Sequence, residues 1–414
     1  MSGSAPLARL LAGPPLAAGA ESFTAHQARL GPLPAIDGAV LISVLESSGL
    51  TGRGGAGFPV GRKWRTVAHA AGDWPVVLVN GAEGEPLSAK DRALMVTRPH
   101  LVLDGALLAA EAVGAGQIVL YVGEAHAAAR AAIGRAVLER GPRVSRRVRL
   151  VAAPDRYVAG EESAAVHFID TGDARPTAVP PRPFERGIGG RPTLVQNVES
   201  LAHVALIARY GDGWYRGAGS SGAPGTALVS TSGRDGRTTV HEIEFGETIG
   251  SVAGRLGTMA DGIQAVLVGG YFGGWIDGRS AGSMPLEPAG LRQAGASFGC
   301  GVLSFLGREA CGVQAAAQVM AYMAAESAAQ CGPCVFGLRA VADATARLAA
   351  GVAQADDLAH LERWTGQIRG RGACRHPDGA VNHLASAMRV FGDEFARHQA
   401  RRGCTADGRE VRAS

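Results

Sequence analysis

Residues 76–85 read VVLVNGAEGE, four branched apolar residues that run straight into a glycine-containing acidic turn. An apolar run with no polar alternation suits a strand buried on both faces, as in a parallel sheet covered by helices. The residues downstream repeat the pattern. A helical PHLVLDGALLAAEAVGA (99–115) leads to IVLYVG (118–123), and a helical EAHAAARAAIGRAVLER (124–140) leads to VRLVAAP (148–154). A further helix opens near Gly160. This alternation predicts α/β architecture with right-handed crossovers. Ligands of such sheets bind beyond the carboxyl ends of the strands. Two turns lie there, Asn80-Gly-Ala-Glu-Gly-Glu85 after the first strand and Tyr157-Val-Ala-Gly-Glu-Glu162 after the third.

Upstream, residues 49–64 read GLTGRGGAGFPVGRKW and contain a match to G-x-G-x-x-G. With 60 glycines in 414 residues, such a match needs context. The preceding AVLISVLE (39–46) places apolar side chains at 40, 41, 44 and 45, one face of a helix, and Gly49 suits the end of that helix. Pro59 opens a second helical stretch through Lys63, Trp64 and Val67. The loop therefore joins helix to helix, where a dinucleotide finger would follow a strand. It is either a phosphate cradle, with Arg53 and Lys63 adding charge, or a plain flexible turn.

Further along, ARPTAVPPRPF (174–184) is too proline-rich for a regular helix or central strand and reads as an ordered wrap or linker, crossing to RPTLVQNVESLAHVALI (191–207). Between Gly225 and Ala296 short β-rich runs surround one helical piece near 248–256, and from Leu303 alanine-rich helical patterns form a bundle. With 46% hydrophobic and 19% charged residues, the composition is that of a soluble globular protein of two to four domains. The formal charge of +4 gives no support to a nucleic-acid partner. The arginines of ERGPRVSRRVRL (139–150) and of the last twenty residues read as solvated faces, with docking to an acidic protein as the lesser reading. No run approaches the roughly 18 apolar residues of a membrane span. Arg9 and the Pro14-Pro15 pair break up the signal-peptide-like start, so a cytoplasmic location without direct membrane insertion is expected. Six cysteines are too few for a disulfide scaffold, and Cys331-Gly-Pro-Cys334 points to metal or redox chemistry.

Five segments, SGLTGRGGAGFPVGRKW, VNGAEGEPLSAKDR, YVAGEESA, GRPTLVQNVESLAHV and ESAAQCGPC, stand in an order that resembles the flavin-bearing, NADH-oxidising subunit of respiratory complex I, from about Leu41 to Cys374. Similar subunits serve NAD-linked hydrogenases and formate dehydrogenases. The resemblance implies an N-terminal helical segment (1–55) and a Rossmann-like FMN- and NAD-binding domain (56–218). A β-grasp domain of the soluble-ligand-binding type (219–300) and a helical bundle with an iron–sulfur region (301–414) would follow. It further implies that Gly52, Arg53, Gly54, Gly55 and Gly57 wrap the FMN phosphate and ribityl chain, with Lys63 supplying charge. Asn80, Glu83, Tyr157, Gly160, Glu161, Gln196 and Asn197 would line the flavin. Glu85 and Glu162 would be the carboxylates near the nicotinamide nucleotide, and Phe58 would stack on its base. Without the resemblance, Glu161-Glu162 also reads as an acidic pair at a helix start.

The chain departs from that family at several positions. Asn80-Gly-Ala-Glu83 replaces Asn-Ala-Asp-Glu, a change shared with a subunit of the membrane-bound ferredoxin:NAD oxidoreductase. Thr66 stands where a second aromatic of the nucleotide pocket falls, and Val179-Pro-Pro-Arg182 replaces Lys-Pro-Pro-Phe. Arg182 can instead meet a phosphate, which leaves NADPH open beside NADH. Ala328 replaces the first cluster cysteine, leaving Cys331, Cys334 and Cys374. Three thiolates hold a [3Fe-4S] cluster, or a [4Fe-4S] cluster with an oxygen side chain or His376 as fourth ligand, or else the loss of the first ligand abolishes the site and leaves Cys331 and Cys334 as ordinary thiols. Cys300, Cys311 and Cys404 fall outside the family's positions and read as ordinary thiols. The expectation is a flavoprotein oxidoreductase that takes a hydride from NADH or NADPH onto FMN and passes single electrons through the cluster to a protein acceptor such as a ferredoxin. The alternative is a non-catalytic electron-transfer or assembly subunit that no longer binds the nucleotide.

Overall fold

The computed structural model describes residues 9–70, 74–232, 237–256 and 262–401. Cys404 and most of the terminal arginines lie outside the described residues. The chain forms two compact units. The first comprises the described residues up to Ser230 with Thr239–Gly246, and the second the remainder.

The first unit is built on a parallel sheet of β1 (Val76–Gly81), β2 (Gln117–Gly123), β3 (Val148–Ala153) and β4 (Thr193–Asn197), in the order β3-β2-β1-β4. Val76 to Val79 are buried on both faces, as their unbroken apolar run requires. Helices Pro99–Val113 and Val198–Arg216 pack closely on each other. A Cβ added at Gly105 would lie 2.0 Å from the Leu201 carbonyl oxygen, so this crossing requires glycine. β4 adds to the three apolar runs seen in the sequence. It is five residues long and passes directly into the helix Val198–Arg216, so no turn residue marks it. The chain steps from β1 to β2 to β3 in one direction and returns to place β4 on the other side of β1. The sheet therefore has its topological switch point between β1 and β4, where a crevice forms outside the carboxyl ends.

β5 (Thr226–Ser232) and β6 (Thr238–Glu244) begin the β-rich passage. In the second unit β7 (Ile263–Val268) pairs antiparallel with β8 (Gly274–Asp277) and with β9 (Val302–Gly307). Helices Gly312–Ala325, Arg339–Ala349, Asp357–Ile368, His376–Val390 and Gly392–Gln399 follow and pack on one another as the expected bundle. A short π-helical segment, Pro333–Leu338, carries the end of the Cys331–Cys334 motif. Among the described residues no single helix is long and apolar enough to cross a membrane. The bent pair Lys90–Thr97 and Pro99–Val113 has a suitable composition, and the second of these is almost wholly buried in the core of the first unit.

Candidate functional site: a glycine loop over a switch-point crevice

The glycine loop joins helices Gly38–Ser48 and Val60–Ala68, as its flanking patterns predict. Gly49, at the end of the first, is left-handed. The loop is tied at its neck, where Gly52 N–H donates to Phe58 O at 2.8 Å and Val60 N–H donates to Leu50 O at 2.9 Å. Its tip, residues 54–57, is exposed. Gly55 has φ +107°, and nothing lies within 4 Å of where its Cβ would stand. That open face is a cradle that a side chain would fill, and its backbone suits a phosphate arm.

The loop meets the sheet at the switch point. A Cβ on Gly54 would lie 3.3 Å from Asn197 Cβ, and Asn197 ends β4 in register with Asn80 of β1. Asn80 Nδ2 donates to Gly160 O at 2.8 Å, so the turn after β3 joins the same edge. Tyr157 follows, its hydroxyl donating to Glu85 Oε2 at 3.1 Å. Gln196 accepts from Trp64 Nε1 at 3.4 Å, which ties the helix after the glycine loop to β4. Segments separated by more than a hundred residues in sequence thus converge on one crevice edge.

The charged residues divide into two groups. Arg53 does not add charge to the open face of the loop. Its guanidinium is buried, donating to Thr51 Oγ1 at 2.9 Å, Tyr215 Oη at 2.9 Å and Thr226 O at 3.0 Å, and it lies over the Phe245 ring. Its backbone N–H donates to Ser200 Oγ. Arg53 is therefore the anchor of the loop. Glu83 sits at φ 48° and places its carboxylate on the start of helix Lys90–Thr97, accepting from Ser88 Oγ and from the N–H groups of Asp91 and Arg92. Burial, and after it the charge of Asp91, pushes the Glu83 carboxyl above the usual range. Glu161 is the N-cap of helix Glu162–Thr171 and accepts from Ser163 and Ala164 N–H. The helix-start reading of this acidic pair therefore holds for Glu161, and both carboxylates shape the turns whose backbones face the crevice.

Lys63 and Glu162, by contrast, are part-exposed and meet at 3.1 Å, with Arg182 Nη1 3.9 Å from the other carboxylate oxygen. Phe58 is 48% exposed, with Arg62 5.9 Å above its ring. Lys63, part-exposed, and Arg182, exposed, can exchange their carboxylate for phosphates beside the exposed Phe58 ring at little cost, since exposed ion pairs contribute only about 0–1 kcal/mol.

Sequence reasoning missed a charged group behind the crevice. Lys90, Asp91 and Glu199 are all buried, with Lys90 Nζ 2.7 Å from Asp91 Oδ1 and 2.8 Å from Glu199 Oε2. The signal was the Lys-Asp dipeptide at a helix start, which reads as surface until the sheet is assembled.

In the second unit Cys331, Cys334 and Cys374 are gathered as neighbours. Burial first, then the nearby Cys331 and Cys374, pushes the Cys334 thiol up to about 12. Three soft donors brought together where a lone thiolate is disfavoured suit a cationic iron–sulfur centre. Among the described residues no group of three or more His, Cys, Asp or Glu is placed to hold a metal ion. The buried Ser327 hydroxyl hydrogen-bonds with Cys334 and accepts from Ala329 N–H at 3.0 Å. His376 bonds the Met323 carbonyl through Nε2 at 2.7 Å, so that nitrogen is engaged. Cys311 Sγ lies 3.4 Å from His398 Nε2 in the helix core, as a buried thiol. Cys300, part-buried, is 3.4 Å from the Gly269 carbonyl.

Residues 45–206 match the family described as the Nuo51 FMN-binding domain. Residues 314–398 match the NADH-ubiquinone oxidoreductase-F iron–sulfur binding region. The F subunit of NADH-quinone oxidoreductase from Streptomyces coelicolor is 31% identical over 388 residues, covering 89% of this chain and 84% of the relative. The second of the numbered F subunits of Rhizobium meliloti is 31% identical over 394 residues, with coverage of 88% and 90%. Among solved structures, a chain of an NAD+-reducing [NiFe]-hydrogenase in the H2-reduced state superimposes with a TM-score of 0.79 at 29% identity. The match covers 87% of this chain and spans 63% of the hydrogenase chain.

Proposed function

This chain belongs to the family of NADH-quinone oxidoreductase F subunits, and on that premise we propose that it accepts a hydride from a reduced nicotinamide nucleotide at an FMN held in the switch-point crevice. Electrons then leave singly by way of an iron–sulfur centre on Cys331, Cys334 and Cys374 to a protein acceptor such as a ferredoxin. FMN, when bound, links a two-electron donor to one-electron acceptors. The chain's own residues supply the geometry. The exposed backbone of residues 54–57 receives the phosphate arm, and Asn80 and Asn197 hold the flavin edge from adjacent strand ends. Glu83 and Glu161 fix the two turns by capping their helices. Lys63 and Arg182, whose side chains pair with Glu162, are cations available to nucleotide phosphates, and Phe58 offers its ring to a base. Arg182 brings NADPH within the donors this pocket serves.

The observation that carries the reading is the convergence of the glycine tip on the register pair Asn80 and Asn197 at the switch point. Heat denaturation of the purified protein should release one FMN per chain. Gly55→Val should abolish its retention while the fold persists by circular dichroism, because a β-branched residue at φ +107° is strained and fills the cradle. FAD as the stoichiometric flavin would overturn the assignment.

A further inference from the structure

Asn197 has a fully determined carboxamide. Its Oδ1 accepts from Glu199 N–H at 2.9 Å, and its Nδ2 donates one hydrogen to Asp91 Oδ2 at 2.7 Å. Flipping the amide would set oxygen against carboxylate and N–H against N–H, so this network alone fixes the orientation. The second Nδ2 hydrogen remains for a bound group. Asp91 serves two partners with its two oxygens, since Oδ1 is 2.7 Å from Lys90 Nζ. Lys90 is 2% exposed and also meets Glu199.

We propose that Lys90 is a positioning residue of the flavin site, keeping Asp91 ionised so that Asn197 stays oriented with an N–H free for the cofactor. This rests on the proposed FMN reading. Burial opposes the charge on Lys90, and Asp91 and Glu199 overcome it, holding the ammonium charged at all working pH. Without Lys90, Glu199 would still have Arg53 at 3.8 Å and the Leu228 N–H at 2.9 Å. Glu83 would still have its two backbone N–H groups and Arg92 at 3.4 Å. His203, held far below its usual range by burial, is neutral throughout. Asp91, 2.7 Å from Lys90 Nζ, would lose its nearest counter-charge and Glu83 a more distant one, and a buried carboxylate without its cation is disfavoured against its neutral form. A protonated Asp91 presents an O–H to Asn197 and favours the flipped amide.

The test is FMN affinity of the full-length protein, measured by flavin fluorescence quenching from pH 6 to 8.5. Wild type should bind FMN, and failure to do so would defeat the functional reading itself. Lys90→Met should lose tenfold or more of the affinity near pH 6 and distinctly less at pH 8.5, relative to wild type at each pH. Lys90→Arg should restore the wild-type profile, and Lys90→Met combined with Asp91→Asn should remove the added pH dependence. Wild-type affinity in Lys90→Met, or a loss that is uniform with pH, overturns the inference while leaving FMN binding intact. Should Lys90→Met not fold, Asp91→Asn decides the matter. Its single carboxamide oxygen cannot serve both Lys90 and Asn197, so a loss of at least fivefold is expected, and unchanged affinity would overturn the proposal.

Discussion

Arg53 and Lys63 show how residue type and residue role separate. Both are cations in one glycine-rich stretch, and the sequence offers both as phosphate ligands. Arg53 lies inside, bonded to Thr51, Tyr215 and Thr226, whereas Lys63 stays part-exposed on Glu162. Arg53→Met should therefore destabilise the protein by about 3 kcal/mol in urea unfolding, because it leaves the buried acceptors Tyr215 Oη and Thr226 O without their charged donor. Lys63→Met should change stability by less than about 0.5 kcal/mol and weaken nucleotide binding. Equal effects of the two on stability would contradict this division. The reason the sequence cannot separate them is physical. Which way a side chain turns from a loop is set by residues far away in sequence, here Tyr215 and Phe245. The glycine tip was legible, because φ +107° with open space at Gly55 is a demand that only glycine meets without strain.

Elements were easier to read than the groups that cap them. The three longer strands and the helices between them follow from apolar runs and helical periodicity, and the apolar face of residues 39–46 puts the glycine loop between two helices. β4 escaped because it passes into its helix without a turn, and with it went the position of the switch point, which decides where the crevice lies. Buried polar groups on helices were equally hidden. His100, at the start of helix Pro99–Val113, accepts from Arg140 Nε through Nδ1 at 3.1 Å and so donates to Glu139 through Nε2 at 3.0 Å. Protonation would set a second N–H against the arginine. Burial, followed by the Arg140 charge, lowers the His100 pKa from 6.5 to about 4. The folded state thus binds fewer protons than the unfolded chain between these values, so stability falls as pH drops from 6.5 toward 4 and levels below. His100→Gln should remove that part of the slope in urea midpoints measured across this window. An unchanged slope would show that His100 is not its source.

At the scale of the whole molecule, the chain joins an α/β unit matched to FMN-binding domains to a unit whose bundle matches iron–sulfur regions. The family was legible from five motifs, and so was the departure at Ala328, since a methyl group cannot ligate iron. The gathering of Cys331, Cys334 and Cys374 was not visible in spacing alone, because Cys374 comes forty residues after Cys334 and is brought back by the bundle. Anaerobically purified protein should contain iron and sulfide. With only three thiolates a three-iron EPR signal is expected, and Ala328→Cys should convert it to a four-iron one. Iron-free protein that still reduces its acceptor would show that the bundle takes no part in electron exit. Delivery of electrons from a reduced nicotinamide nucleotide to a flavin in this crevice is read from the visible spectrum of the anaerobic holoprotein on addition of NADH or NADPH. Prompt bleaching of the flavin band by at least one of the two nucleotides is expected. A flavin band that neither nucleotide bleaches would contradict it and leave the chain as a subunit that binds flavin without receiving hydride.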